Sequence, residues 1–274
     1  MRRFRSLLTP TRIVAAALLA VIVVTCLLAD VIAPVGPLEQ DRGARFADIG
    51  TPGHPLGTDY LGRDVLSRLL HGGREELFVA LSASLLALLV GVVLGLLGGY
   101  FGWLAEMLTM RTVDVILAFP AIVVALLITT FTGPSSLTLI VVMGVLFVPQ
   151  FARLTFAQVR VTSRLEYVDA AKVFGAGPTT ILVRTIVPNM IGPVTAQFSL
   201  TMAAAILLES GLSYLGLGVP APNPSWGQMI AEGTRYLGSD FVPVGVPALA
   251  VVLTILCFSV LGDALRDAFD PKER

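Results

Sequence analysis

Residues 166–189 read EYVDAAKVFGAGPTTILVRTIVPN, a polar segment between two strongly apolar runs. Its start belongs to a helical pattern, because apolar side chains recur at spacings of four and three residues. These side chains are Val161, Leu165, Val168 and Ala171. Gly175 and Gly177 are expected to end this helix, since glycine readily adopts the left-handed conformation. Pro178 suits the first turn of a second short helix, which Pro188 is predicted to close.

The composition places the chain in a membrane. Of its 274 residues, 55% are hydrophobic and 14% are charged, and the mean hydropathy is +0.83. A soluble domain carries about 25% charged residues, so the composition predicts an integral membrane protein surrounded by the lipid bilayer. The net charge is zero, which argues against binding to nucleic acid.

Six apolar runs are long enough to be membrane spans, which predicts an all-α integral membrane fold with six transmembrane helices. The predicted spans cover residues 13–29, 77–99, 115–131, 135–152, 190–208 and 243–261. The first run is too long for a cleaved signal peptide. Four arginines precede it and place the N-terminus in the cytoplasm, and six crossings return the C-terminus to the same side.

The spans divide the chain into four regions. Residues 1–33 hold the N-terminal cytoplasmic tail and the first span, and residues 34–76 form an ordered extracytoplasmic loop. Residues 77–262 form the core, with a loop at 158–189, and residues 263–274 form a cytoplasmic C-terminal tail. Basic residues are in excess around the loop between spans four and five, which fits a cytoplasmic location. They are Arg153, Arg160, Arg164, Lys172 and Arg184.

The interiors of the spans are expected to be free of charge. No Asp, Glu, Lys or Arg falls in the middle of a predicted span, and Glu209 is expected to end the fifth. A proton relay is disfavoured, because each charge there would cost about 2.5–3.5 kcal/mol.

Gly91, Gly95 and Gly99 recur every four residues and predict close approach of a neighbouring helix. Pro120 is expected to kink the third span, after an inner loop that carries Arg111 and Asp114.

The fifth span is the most polar of the six and is the candidate wall of a translocation path. Thr195, Ser199 and Met202 share one helical face, while Gln197 and Thr201 share another. The first face could line a path for a peptide-like solute. Its hydroxyl groups could equally bond to neighbouring helices.

Motifs for catalysis and nucleotide binding are absent from the sequence. It has no GxxxxGK[ST] loop, no GxSxG, no HExxH and no paired-cysteine motif, so we predict no catalytic residue, no cofactor and no metal site. His54 and His71 lack the spacing of metal ligands. Cys26 and Cys257 lie in different apolar runs and are expected to be buried and unpaired. Energy for any transport must therefore come from a partner.

Residues 169–188 resemble the EAA loop of ABC importer permeases. That pattern is Glu-Ala-Ala, three residues, Gly, nine residues, Ile, any residue, Leu-Pro, and this chain keeps both alanines, the glycine and the proline at the same spacing. It has Asp169, Thr185 and Val187 where the pattern has Glu, Ile and Leu. The resemblance implies a cytoplasmic coupling helix that docks into a cleft on an ATPase subunit. The contact residues would be Asp169, Ala170, Ala171, Lys172 and Gly175.

Four further stretches resemble the C-type permease subunits of the dipeptide, oligopeptide and nickel ABC importers, which are binding-protein-dependent transport inner-membrane components. They are HPLGTDYLGRDVLSR at 54–68, LESGLSYLGLG at 208–218, PSWG at 224–227 and GDALRDAFDP at 262–271. In the first, Thr58 or Asp59 is expected to cap a short helix at the outer membrane surface. A structural role is favoured there over contact with a ligand.

The resemblance implies a type I ABC importer permease fold in a bacterial plasma (inner) membrane, with the coupling helix between spans four and five. The implied partners are a homologous B-type permease subunit, two ABC ATPase subunits that bind ATP and Mg, and an extracytoplasmic substrate-binding protein. The chain would then form half of an alternating-access path for di- or oligopeptides and would not itself be an enzyme.

Two other functions stay open at this point. A self-sufficient channel or secondary transporter would be expected to carry ionisable residues within its spans and inverted repeats. A membrane scaffold would use residues 166–189 to recruit some other soluble protein. The cargo also stays open between dipeptides, longer peptides, nickel chelates and haem, because selection in the resembled family rests largely with the binding protein.

Overall fold

The structure, a computed structural model, describes residues 9–238 and 240–269. Within these ranges the chain is helical, and its only strand-like pairings are two isolated bridges. The helices are α1 (Pro10–Leu27), α2 (Ala29–Ile32), α3 (Val65–Tyr100), α4 (Trp103–Leu117), α5 (Ala121–Thr132), α6 (Ser136–Thr162), α7 (Glu166–Val173), α8 (Pro178–Ile181), α9 (Val187–Tyr214), α10 (Trp226–Thr234) and α11 (Val242–Phe269). A π-helical turn, Leu182–Ile186, joins α8 to α9.

Six segments of the described chain can account for the predicted membrane spans. Helices α1, α3, α6 and α11 and the segment Pro178–Tyr214 are each long and apolar enough to cross a membrane. The pair α4 and α5 forms the sixth candidate, although its two helices meet at 80°. The prediction of an all-α integral membrane fold is therefore confirmed. Cys26 and Cys257 are both buried and unpaired, as expected.

The third predicted span is broken rather than kinked. Arg111 and Asp114, which were expected in an inner loop, lie inside α4, and Asp114 Oδ1 accepts a hydrogen bond from Arg153 Nη2 at 2.8 Å. Helix α5 starts with Pro120 at its N-cap. Because proline lacks an N–H and disfavours helical geometry in the residue before it, the chain leaves α4 here and begins again in a new direction.

Helix α3 is one continuous helix of 36 residues, so the expected short surface helix and the second span are not separate elements. At 1.5 Å per residue it is about 54 Å long, well beyond the bilayer core of about 30 Å. Its N-cap is Asp64, whose Oδ2 accepts from the Ser67 N–H at 2.7 Å, and not Thr58 or Asp59. Thr58 instead accepts from the Ala47 N–H at 2.9 Å and holds the preceding loop.

The largest helix–helix contact joins α3 to α6, and glycines make it possible. A Cβ atom on Gly95 would lie 2.5 Å from Thr155 Cβ and 2.6 Å from the Ala152 carbonyl oxygen. Gly91 and Gly99 face α6 in the same way, at Phe151 and Val159. The predicted close approach at the glycine repeat is confirmed, because no larger side chain fits between these backbones.

The start of α1 and the end of α11 meet at one end of the bundle. Arg12 Nη2 donates to Asp267 Oδ2 at 2.5 Å, and α1 packs along α11 and α3. The first and last predicted spans are thus neighbours.

The loop between α2 and α3, residues 33–64, is fixed to α10 by a cluster of buried ion pairs. Arg63 Nε lies 2.6 Å from Asp59 Oδ2, and Arg63 Nη2 lies 2.6 Å from Glu232 Oε2. Arg68 Nη2 lies 3.1 Å from the same Glu232 oxygen. Burial alone would lower the pKa of Arg63, but the carboxylates of Asp59 and Glu232 outweigh it and raise that pKa. The HPLGTDYLGRDVLSR stretch therefore has the structural role that was favoured.

Replacing Arg63 by glutamine is expected to lower the free energy of unfolding by about 2 kcal/mol, because the buried carboxylate of Asp59 and the partly buried one of Glu232 lose their main cation. Thermal unfolding of the full chain in detergent measures this. The matched control is Arg74→Gln, because Arg74 pairs with Asp30 at 2.7 Å on the surface and its side chain is half exposed. That control should change little. Equal unfolding temperatures for the two variants would contradict a stabilising role for the ion pairs of Arg63.

Candidate functional site

Helix α7 is a short helix that a turn separates from the end of α6. The expected amphipathic helix was predicted to include Val161, but Val161 lies in α6 and is 65% exposed. The chain turns between Thr162 and Leu165, and α7 starts at Glu166. Only the second half of the predicted apolar face is therefore used in α7. Within it, Val168 is fully buried.

Gly175 ends α7 through a closed hydrogen-bond pattern. Its φ is +82°, its N–H donates to the Lys172 carbonyl at 2.9 Å, and the Ala176 N–H donates to the Ala171 carbonyl at 3.0 Å. These two bonds and the left-handed residue form a Schellman motif. The prediction for Gly175 is confirmed, whereas Gly177 has a φ of −70° and serves as the N-cap of α8.

The second predicted helix continues into the membrane instead of closing at Pro188. Pro178 occupies its first turn, as expected, but the chain then passes through the π-helical turn directly into α9. Pro188 lies in the first turn of α9. Its missing N–H is tolerated there, because the preceding π turn has already shifted the backbone bonding pattern. The helical segment that holds the fifth span thus starts at Pro178 and not at Met190.

One apolar face fixes α7 to the ends of the long helices. Val168 packs in a buried cluster with side chains from α6, α8 and α9, against which side chains of α3 also pack. The buried members are Val159, Val168, Ile181, Leu182, Ile186 and Met190. Ala171 packs against this cluster and so faces inward. A displacement of α7 would therefore be passed to α3, α6 and α9 together.

The opposite face of α7 is open and ends in two exposed apolar side chains. Val173 is 85% exposed and Phe174 is 89% exposed. Asp169 and Lys172 form an exposed ion pair with Nζ 2.8 Å from Oδ1, and this hydrogen bond raises the pKa of Lys172. Ala170 is exposed beside them. A surface of small, charged and apolar groups at the end of a membrane bundle is suited to contact another protein.

The three residues predicted to line a path have different positions. Thr195 is exposed, and its hydroxyl donates to the Gly192 carbonyl of its own helix at 2.9 Å. Ser199 is buried and donates to the Phe258 carbonyl of α11 at 2.6 Å. Met202 is buried in the core. For Ser199 the open alternative, a bond to a neighbouring helix, is the one observed, and contact of all three with cargo stays a prediction.

Two buried acids lie in long helices, directly outside the predicted spans 77–99 and 190–208. Glu76 lies inside α3 and Glu209 lies inside α9, and neither is exposed. Glu209 does not end its helix, because α9 continues to Tyr214. Both helices extend past their apolar stretches, which is why composition missed these positions. The sequence signal for these buried acids lies in residues 208–218, where two serines follow Glu209. Ser213 donates a hydrogen bond to Glu209, and Ser210 donates one to Glu76.

No cluster of three His, Cys, Asp or Glu side chains able to hold a metal ion occurs among residues 9–238 and 240–269. The candidate functional surfaces of the described chain are the exposed face of α7 and the polar face between α6 and α9.

Comparison with known proteins identifies the family. The profile of the family described as "Binding-protein-dependent transport system inner membrane component" matches residues 91–274. The di/tripeptide transport system permease protein DppC of Pseudomonas aeruginosa is 37% identical over 256 residues, which cover 92% of this chain and 84% of that protein.

Two other relatives extend the comparison. The glutathione transport system permease protein GsiD of Pectobacterium atrosepticum is 39% identical over 220 residues, covering 80% of this chain and 73% of the relative. The dipeptide transport system permease protein DppC of Bacillus subtilis is 40% identical over 222 residues, covering 81% and 69%. With a profile match over more than half of its length, this chain belongs to the binding-protein-dependent transport system inner membrane components and is a permease component of an ABC importer.

Proposed function

We propose that the chain is one of two permease subunits of an ATP-driven importer for short peptides or peptide-like solutes. The observation that carries this proposal is the α7 hairpin, whose exposed tip is joined by a buried face to three membrane helices. The names of the relatives, which refer to dipeptides, tripeptides and glutathione, support the class of cargo.

In this proposal, α7 receives motion from an ATPase subunit. Asp169, Ala170, Lys172 and the turn at Gly175 form the contact, while Ala171 and Val168 face the bundle and transmit the displacement. ATP and Mg bind to the two partner ATPases, and this chain binds neither. Closure of the ATPases would move the hairpins and rock the spans between inward-facing and outward-facing states, as alternating access requires.

The proposal fixes the sidedness of the chain. Helix α7 must lie in the cytoplasm, because ATP is there. The basic residues near it, including Arg153 and Arg160, agree with the positive-inside rule. With six crossings and α7 between spans four and five, both ends of the bundle's chain lie on the same side as α7. The start of α1 and the end of α11, which Arg12 and Asp267 join, are therefore cytoplasmic as well. The loop of residues 33–64 would face the extracytoplasmic binding protein.

The test compares two glycine substitutions in the hairpin. Gly175→Val forces a branched side chain into a left-handed position, at a local cost of about 1–2 kcal/mol, and should distort the turn after α7. Gly177→Val is the matched control, since Gly177 has an ordinary φ and open space around it. We expect the first to lower ATP-driven uptake of a radiolabelled tripeptide by about tenfold and the second to leave it unchanged.

Both variants are measured in proteoliposomes that contain the permease pair, the ATPases and the binding protein. Stimulation of ATP hydrolysis by the loaded binding protein should be lost with Gly175→Val, because the coupling contact is displaced. If uptake and stimulation both survive that substitution, α7 is not the coupling element. Uptake that continues without any ATPase would instead identify a secondary transporter or channel.

A further inference from the structure

A hydrogen-bonded pair of amide side chains lies between α6 and α9. Gln197 Nε2 donates to Gln150 Oε1 at 2.9 Å, and the Thr201 hydroxyl is 3.2 Å from the same oxygen. Gln150 lies near the middle of α6 and Gln197 in the inner half of α9. Thr201 is fully buried, whereas Gln150 is exposed and Gln197 is partly exposed. The pair therefore forms part of the surface of this subunit at membrane depth.

This surface is unsuited to lipid. The Nε2 group of Gln150 has no hydrogen-bond partner among the described residues, although it carries two N–H donors. In hydrocarbon an unpaired amide is costly, because no water is available to replace the missing bonds. The surface that carries Gln150 and Gln197 must therefore contact water or another polar group.

Several other exposed positions on α6, α9 and α11 are apolar. Val145 of α6, Leu207 of α9 and Val252 of α11 are all exposed. Gln197 also lines a cleft of about 360 Å³, where Gln158 and Arg266 are the other polar side chains in an otherwise apolar lining. Since Arg266 is near the end of α11, the cleft leads from the amide pair toward the end of the bundle that carries α7. These polar side chains distinguish this face from the apolar exposed positions.

We propose that Gln150 and Gln197 form a cargo-contact surface in the translocation path, where their amide groups bond to the backbone amides of a short peptide. This rests on the proposed function and specifies the residues that meet the cargo. A glutamine amide offers both a donor and an acceptor without charge, and a peptide bond offers the same two groups in return. Such a contact accepts peptides irrespective of their side chains. It assigns the path to the Gln197 and Thr201 face of α9.

The first experiment measures exposure to water in the assembled transporter. Cys26→Ala and Cys257→Ala remove the two native thiols, and Gln150→Cys introduces a new one. Val145→Cys is the control, because Val145 is exposed on another face of the same helix. Reaction with N-ethylmaleimide requires a thiolate, which forms in water and not in lipid. We expect rapid labelling at position 150 and slow labelling at position 145. Equally slow labelling at both positions would overturn the proposal.

The second experiment measures transport. Gln150→Leu combined with Gln197→Leu should lower tripeptide uptake by about tenfold, the effect of losing one or two net hydrogen bonds. ATP hydrolysis stimulated by the binding protein should be retained, because α7 is unchanged. Gln150→Asn with Gln197→Asn keeps the amides and should restore part of the uptake.

Three results are decisive. Unchanged uptake in the leucine variant would overturn the cargo contact. Loss of stimulated ATP hydrolysis together with uptake would also overturn it, since the face would then hold the partner permease together. Failure of the coupling proposal gives a different result. In that case Gly175→Val keeps the stimulated ATP hydrolysis, while the leucine variant still loses uptake.

Discussion

Replacing Gly95 by leucine is expected to abolish the folded bundle, with a loss of more than about 3 kcal/mol in the free energy of unfolding. A single Cβ at this position already lies 2.5 Å from Thr155 Cβ and 2.6 Å from a carbonyl oxygen of α6. The second of these atoms is backbone and cannot rotate away. Helices α3 and α6 would have to separate along their whole contact, and packing between close backbones is a main source of cohesion within a membrane.

The measurement is the yield of monodisperse protein in detergent and its unfolding temperature. Gly211→Leu is the matched control, because Gly211 is also a helical glycine and a Cβ there meets open space. It should behave like the unchanged protein. Gly95→Ala should fall between them, since one methyl group produces the first collision. A Gly95→Leu protein that purifies and unfolds normally would show that α3 and α6 are not in contact at this depth.

Features with a local cause were predictable from the sequence. Each residue contributes its own transfer free energy into lipid, so a sufficiently long apolar run predicts a span without knowledge of its contacts. The number of candidate spans could therefore be predicted from the sequence. The glycine repeat at 91, 95 and 99 needed only the helical period. Gly175 and Pro178 act through their own backbone preferences, which is why the turn between α7 and α8 was placed correctly.

Features set by distant contacts were not predictable. The start of α3 at Val65 depends on Asp64, whose other carboxylate oxygen lies 3.1 Å from His54 Nδ1, and nothing in hydropathy marks that cap. The pairing of Gln150 with Gln197 joins two helices far apart in sequence. The path was predicted on the face of Thr195 and Ser199, but the surroundings of that face depend on where α6 and α11 pack, which hydropathy does not give. The break before α5 was not predictable, because a single proline does not specify the direction in which the chain continues.

The second large effect is expected from Glu76→Leu, which should lower the free energy of unfolding by about 3 kcal/mol. Glu76 joins three helices: its carboxylate accepts from the Ser210 hydroxyl of α9 and from the Trp226 N–H of α10 at 3.2 Å. Trp226 is itself buried against α3, where its indole Nε1 donates to the Leu69 carbonyl at 2.8 Å. Leucine fills the space but leaves a buried backbone N–H without an acceptor, and such groups carry the full cost of lost hydration.

Two further variants separate lost hydrogen bonds from a changed charge. Glu76→Gln keeps one acceptor oxygen, so it should lose less stability than leucine. Glu75→Leu, one residue away, removes only a bond to the Ser136 hydroxyl, which is partly exposed and can bond to water instead. The expected order of unfolding temperature is therefore unchanged protein, Glu75→Leu, Glu76→Gln, Glu76→Leu. A more stable leucine variant would mean that repulsion between Glu76 and the neighbouring Glu209 outweighs the bonds to Ser210 and Trp226, and that this pair of acids strains the bundle instead of joining it.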